Sequence, residues 1–123
     1  MGHGVPWAQF GVGFSWEGEN NAINAQLAKK GWQQVKRWIS SGSFDLIVLD
    51  EFTYTLSLGY LDSNEVCAWL DDHRRNDGFP HLVITGRNAP DPLIELSDMV
   101  SEINEVKHHL SAAGQEALPM IEY

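Results

Sequence analysis

The sequence has 123 residues, of which 43% are hydrophobic and 20% are charged, so its composition is that of a folded globular domain. No apolar run approaches the roughly 20 residues that a helix needs to cross a bilayer. The net charge is −9, from 17 acidic and 8 basic residues, and such a chain is poorly supplied with the basic surface that duplex nucleic acid requires. We therefore expect neither a membrane nor a nucleic acid as partner.

The sequence also carries information about cellular compartment. Cys67 is the single cysteine, which excludes an internal disulfide framework and is typical of a reducing cytosol. The first residues, Met1 to Pro6, show no basic region followed by an apolar core, so no secretory signal is visible. We expect a cytoplasmic protein in which residues 1–123 form a single domain.

The first part of the chain is expected to contain a strand, a loop and a long helix. Residues 5–12 form the expected short strand, and Gly13 to Glu17 place two large aromatic residues on the loop. The helix ends at the Ser40-Ser41-Gly42-Ser43 stretch. Its apolar residues recur at helical spacing and predict one buried stripe: Ile23, Leu27, Trp32, Val35, Trp38 and Ile39.

The centre of the chain is the stretch from Phe44 to Glu51. Its aliphatic run, residues 46–49, predicts a strand that is buried on both faces, as in a parallel sheet covered by helices. Asp50 and Glu51 follow where this strand ends, which is the edge at which open α/β sheets bind ligands. A simpler interpretation is that these two acids only cap the next helix.

The remaining elements complete an α/β pattern. A short helix is expected from Phe52 to Leu58, and Asp62 or Ser63 is placed to cap a further helix in which Cys67 is a small buried residue. A second buried strand is expected over His81–Thr85, a short helix from Asp91 to Leu96, and a last strand from Asp98 to Val106. The five histidines show no zinc-ligand spacing.

Six short segments of the chain form a recognisable set: Gly13–Glu17, Val48–Tyr54, Gly59–Asp62, Val83–Arg87, Val106–His108 and Ile121–Tyr123. Together they resemble the corrinoid adenosyltransferases of the CobO/BtuR type. The resemblance extends through most of the chain, and its segments occur in the family's order and at the family's spacings. Members of that family transfer the 5′-deoxyadenosyl group of ATP to the cobalt of a reduced corrinoid.

The resemblance implies a fold and a set of functional residues. The fold would be a partial P-loop NTPase (RecA-like) domain, with a mostly parallel sheet flanked by helices. Phe14 and Trp16 would line the corrinoid site, Asp50 and Glu51 would hold Mg²⁺, and Thr85, Gly86 and Arg87 would lie close to ATP. A metal and a guanidinium suit a leaving triphosphate, because that group carries several negative charges.

One feature of the family is not found in these residues. A phosphate-binding loop needs spaced glycines followed by Lys and Ser or Thr, and the only Lys-Gly pair, Lys30-Gly31, lies within the predicted helix. We therefore expect the chain to correspond to the later part of the family sequence, without the strand that leads into the loop. Activity would then require a separate chain that carries the loop, or a substitute for it.

The same departure suggests how copies of the chain could associate. Loss of an internal strand would leave an unpaired sheet edge and an uncovered apolar face, so we expect a homodimer. Phe14 and Trp16 could then be core or interface residues, and Arg87 could simply pair with a carboxylate. The alternative functions are a non-catalytic corrinoid-binding or interaction module and an inactive remnant.

Overall fold

The computed structural model describes residues 21–107, and this range has an α/β architecture. The expected strand over residues 5–12, together with Phe14 and Trp16, lies outside the described residues. The elements in chain order are α1 (Asn21–Ser41), β1 (Leu46–Leu49), α2 (Thr53–Ser57), α3 (Ser63–His73), β2 (His81–Ile84) and α4 (Asp91–Leu96).

Helix α1 packs on the core through a face that differs in part from the predicted stripe. Trp32, Val35 and Ile39 are buried as expected, whereas Ile23 is 51% exposed. The prediction failed at Ile23 because the buried row at this end of the helix passes through small and polar residues instead of large apolar ones. The buried residues of α1 are Asn24, Ala28, Gly31, Trp32, Val35 and Ile39.

Strands β1 and β2 form a two-stranded parallel sheet in the described part of the chain. The register pairs Leu46 with His81 and Leu49 with Ile84. Burial alternates along β1, so the prediction that this strand is buried on both faces is wrong for the described structure. One face carries Ile47 and Leu49 into the core, while Val48 on the other face is 55% exposed.

Strand β2 differs from its prediction in the same way. His81 and Val83 are exposed and Leu82 and Ile84 are only half-buried, so the expected buried strand is wrong for this part of the chain. Helices of the described range cover one side of the sheet only, and a strand covered on one side shows the alternating pattern of a half-buried strand.

The connection from β1 to β2 runs through α2 and α3, and both helices follow the sequence prediction. Asp62 caps α3, because its Oδ1 accepts hydrogen bonds from the N–H groups of Asn64 at 2.8 Å and Glu65 at 3.1 Å. Cys67 on α3 is a free, buried cysteine, as predicted. Burial raises the pKa of its thiol, because the thiolate loses hydration in the core.

The segment after α4 corrects another expectation. Residues 98–106 were expected to form a strand, but the structure has no strand there. Met99 and Ile103 are 83% and 95% exposed, so the apolar residues of this segment neither pair in the described sheet nor enter its core. The start of the segment is held by Arg74, which donates to the Leu96 carbonyl at 2.8 Å and lies 3.9 Å from the Asp98 carboxylate.

Aromatic contacts connect α1 to the helices of the crossover. The ring of Trp32 lies 5.7 Å from that of Phe52 and 5.6 Å from that of Trp69. Phe52 is the residue that precedes α2, so this packing fixes the start of α2 beside the end of β1. Among residues 21–107, no helix is long and apolar enough to cross a membrane.

Candidate functional site

The carboxyl ends of the two strands bring predicted site residues together. Asp50 follows β1 directly and Thr85 follows β2 directly, so both lie one position beyond the last strand pair, Leu49 and Ile84. The Thr85 N–H donates to the Leu49 carbonyl at 3.1 Å and extends the pairing by one hydrogen bond. The parallel register therefore places Asp50 and Thr85 side by side at the sheet edge where α/β domains bind ligands.

The Thr85 hydroxyl connects both acidic residues. It donates to Asp50 Oδ1 at 2.9 Å, and it accepts a hydrogen bond from the backbone N–H of Glu51 at 2.9 Å. A threonine hydroxyl has one proton and two lone pairs, so it can serve both contacts at once. The contact orients the Asp50 carboxylate and fixes the backbone that carries Glu51.

Glu51 has an unusual backbone conformation. Its φ is 55°, in the left-handed region that residues with a side chain rarely adopt. The hydrogen bond from its N–H to Thr85, and one from the Tyr54 N–H to its carbonyl at 3.2 Å, hold it there. Unfavourable backbone conformations of this kind concentrate at functional sites.

A second contact between the strand ends involves Thr53, which the sequence analysis did not single out. Its hydroxyl donates to the Arg87 carbonyl at 2.7 Å, and the residue is only 3% exposed. No local pattern indicated this role, because the two residues are 34 positions apart in the chain. In the sequence, Thr53 resembles an ordinary residue in the first turn of a short helix.

The structure also bears on the simpler interpretations of these residues. The N-cap of α2 is Phe52, which makes no side-chain capping bond, and the Asp50 carboxylate is bonded to Thr85 instead. Arg87 forms no ion pair with a carboxylate of the described residues. Hydrogen bonds thus join Asp50, Glu51 and Thr85 at one edge, and Gly86 and Arg87 follow Thr85 in the chain. The predicted corrinoid-side residues are not among those described.

Asp50 and Glu51 suit an open Mg²⁺ site, in which water and substrate supply most ligands, better than a closed site made of protein side chains alone. Within residues 21–107 there is no group of three or more His, Cys, Asp or Glu side chains arranged to hold a metal. Mg²⁺ is usually held by one or two carboxylates, with waters and substrate phosphates completing its shell. Asp50 and Glu51 are exposed oxygen donors, and Asp50 is oriented by a threonine hydroxyl, so the residues present suit such an ion.

Comparison with known proteins identifies the family. The family model described as ATP:corrinoid adenosyltransferase BtuR/CobO/CobP matches residues 1–123. The chain belongs to this family.

Named relatives agree with that assignment. The corrinoid adenosyltransferase of Escherichia coli K12 is 35% identical over 98% of this chain, and the corrinoid adenosyltransferase CobA of Salmonella typhimurium is 35% identical over 98% of it. A corrinoid adenosyltransferase of Sinorhizobium is 36% identical over 80% of the chain. The chain spans 60% of the length of the E. coli and Salmonella relatives and 45% of the Sinorhizobium one.

Proposed function

We propose that this chain provides the metal- and nucleotide-binding edge of an ATP:corrinoid adenosyltransferase with the P-loop NTPase (RecA-like) fold. The observation that carries the proposal is the hydrogen-bonded connection of Asp50 and Glu51 to Thr85 across the ends of two parallel strands. Membership of the family supplies the reaction. In that reaction the reduced cobalt attacks C5′ of ATP, a cobalt–carbon bond forms, and the C5′–O bond breaks with its electron pair leaving on the triphosphate.

Each residue of the edge has a role that suits its chemistry. Asp50 and Glu51 would hold Mg²⁺, which when bound neutralises negative charge on the triphosphate. Arg87 follows β2 on the same edge, and its guanidinium suits a phosphate group because it can donate two parallel hydrogen bonds. Thr85 would orient Asp50 toward the metal, so that its hydroxyl acts on the site through a carboxylate.

The overall charge of the chain favours counter-charge at the site. A chain with net charge −9 repels the ATP polyanion at long range, and a local positive charge offsets that repulsion. Four of the eight basic residues lie on α1, at positions 29, 30, 36 and 37, and do not belong to the strand-end edge. A bound metal and Arg87 would provide the counter-charge at the edge itself.

Two further parts of the catalytic apparatus complete the proposal. Phe14 and Trp16 would line the corrinoid side, where aromatic side chains exclude water and nitrogen ligands from one face of the cobalt. The phosphate-binding loop would come from outside these 123 residues, because they contain no such motif.

The proposal is tested by calorimetric titration of the purified chain with MgATP. We expect saturable binding that is lost in excess EDTA and that Glu51→Ala weakens by about tenfold or more, as removal of a metal-supporting group does. Glu95→Ala is the matched control, because Glu95 is an exposed glutamate on α4 that lines a groove with Cys67 and Asp71 of α3. This control should bind MgATP as the unmodified chain does.

Two results would count against the proposal. No heat up to millimolar ATP would mean that this chain alone does not bind the nucleotide, and equal weakening in both variants would remove Glu51 from the site. A parallel titration with a reduced corrinoid then decides the alternative, since binding of corrinoid without ATP is the behaviour of a non-catalytic corrinoid-binding module.

A further inference from the structure

Thr53 makes two contacts with the segment that leaves β2. Its hydroxyl donates to the Arg87 carbonyl at 2.7 Å, and its backbone N–H lies 3.5 Å from the Thr85 carbonyl oxygen. Thr53 is 3% exposed, whereas Arg87 is an exposed residue, so this connection is part-buried. One buried residue at the start of α2 therefore contacts both ends of the Thr85-Gly86-Arg87 turn.

Gly86 lies between these two contacts, and the structure leaves no room for a side chain there. A Cβ at this position would overlap the Thr53 hydroxyl oxygen and would lie 2.9 Å from the Thr53 Cβ. Its φ of 144° is also one that residues with a side chain rarely adopt. The turn thus passes over Thr53 at a distance that only glycine permits.

The hydroxyl of Thr53 serves the turn and not its own helix. Threonine hydroxyls in helices commonly bond a carbonyl one turn earlier, as Thr55 does with the Phe52 carbonyl at 2.7 Å. Thr53 instead uses its only hydroxyl proton on a carbonyl 34 positions away. The two threonines of α2 therefore have the same chemistry and hydrogen bonds of equal length, but different targets.

We propose that Thr53 is a positioning residue of the nucleotide site, which fixes the backbone from which the Arg87 side chain departs. This inference rests on the proposed function, because the backbone position of Arg87 matters to the nucleotide site only if Arg87 binds the triphosphate. Phe52, the preceding residue, packs on Trp32, so the position of Thr53 is set in turn by the aromatic core. The core, the start of α2 and the turn form one continuous support for Arg87.

The test compares Thr53→Val, which keeps the shape but loses the donor, with Thr53→Ser, which keeps the donor. Thr55→Val is the matched control, because it removes an equivalent hydrogen bond that stays within α2. We expect Thr53→Val to raise the Kd for MgATP by about tenfold, a loss typical for removal of a supporting group, while Thr53→Ser restores most of the affinity. Thr55→Val should leave the Kd unchanged, even where both valine variants lower the melting temperature alike.

A double-mutant comparison separates positioning from a general loss of stability. If Thr53 acts through Arg87, then Thr53→Val should weaken MgATP binding in the unmodified chain but add nothing in an Arg87→Ala background. Additive losses, or equal losses for Thr53→Val and Thr55→Val, would overturn the inference.

A readout without nucleotide distinguishes failure of this inference from failure of the proposed function. The backbone amide NMR signals of Gly86, Arg87 and Asn88 should shift in Thr53→Val and remain close to their original positions in Thr53→Ser and Thr55→Val. Unchanged signals in Thr53→Val would overturn the positioning role whether or not ATP binds. Shifted signals together with no MgATP binding by the unmodified chain would overturn the proposed function, and the nucleotide role of Thr53 with it.

Discussion

At the scale of single residues, Glu51 combines an unfavourable backbone conformation with a carboxylate that is able to bind a metal ion. A residue with a Cβ at φ of 55° costs about 1 kcal/mol relative to an ordinary conformation. Glycine would adopt this conformation without the penalty. Glutamate at this position is therefore better explained by what its carboxylate does than by any benefit to the fold.

Replacement of Glu51 by glycine and by alanine should separate these two effects. Both variants lose the carboxylate, so both should lose MgATP affinity to a similar extent. Glu51→Gly should be more stable than Glu51→Ala by about 0.5–1 kcal/mol in free energy of unfolding, because only alanine retains the strain of the left-handed conformation. Chemical denaturation measures this difference, and equal stability of the two variants would show that the conformation is not strained.

Residue-level prediction from sequence succeeded where a local rule applied. The strand-end rule placed Asp50 and Glu51 at the carboxyl edge of the sheet, and the family resemblance placed Thr85 near the next strand end. The structure joins Asp50 to Thr85 by a hydrogen bond of 2.9 Å, and the roles of these residues stay predictions. Thr53 was missed because its contact with Arg87 depends on how far α2 lies from the end of β2. Spacing along the chain contains no information about that distance.

At the scale of elements, α3 depends on one well-defined cap. The Asp62 carboxylate accepts hydrogen bonds from two backbone N–H groups that would otherwise lack a partner in the first turn of the helix. We expect Asp62→Ala to lower the free energy of unfolding by about 1 kcal/mol.

The matched control for this cap is Asp72→Ala, because Asp72 is an exposed aspartate near the other end of α3. Thermal or urea denaturation of both variants gives the comparison. A loss of stability in Asp72→Ala as large as that in Asp62→Ala would mean that the effect comes from the change of charge and not from the cap.

A helix end marked by serine and glycine residues was predicted well, whereas a strand that depends on a neighbouring strand was not. Helix α1 ends at Ser41 and is followed by Gly42 in a left-handed conformation, as the serine- and glycine-rich stretch indicated. The strand expected over residues 98–106 is not formed, because the apolar residues of this segment, at positions 99, 100, 103 and 106, do not alternate as a half-buried strand requires. A strand also needs a neighbouring edge to receive its hydrogen bonds, and sequence pattern does not supply one.

At the scale of the whole molecule, the uncovered side of the sheet bears on association between copies. In the described part of the chain Leu46, Val48 and Val83 share this side and are 56%, 55% and 44% exposed. Adjacent exposed aliphatic residues are typical of a surface that packs against a partner. The homodimer expected from the sequence stays a prediction, and this face is where we expect the second copy.

Light scattering at tens of micromolar protein tests the association. We expect a dimer for the unmodified chain and a shift toward monomer for Val48→Lys, because a lysine would have to be buried in the contact. Gln33→Lys adds the same charge at an exposed position of α1 and should leave the dimer intact. A stable monomer of the unmodified chain at these concentrations would contradict the prediction.

The strand register has a consequence for how the sheet and its ligand depend on each other. Because side chains alternate along a strand, a slip of one residue would place Ile84 beside Asp50 and break the contact with Thr85. In the described part of the chain four residue pairs hold the register, and the burial of Ile47 and Leu49 on one face also favours it. A ligand that binds across both strand ends can act only on the correctly aligned pair, and its binding free energy adds to the stability of that alignment. A nucleotide bound as proposed would thus stabilise the strand register.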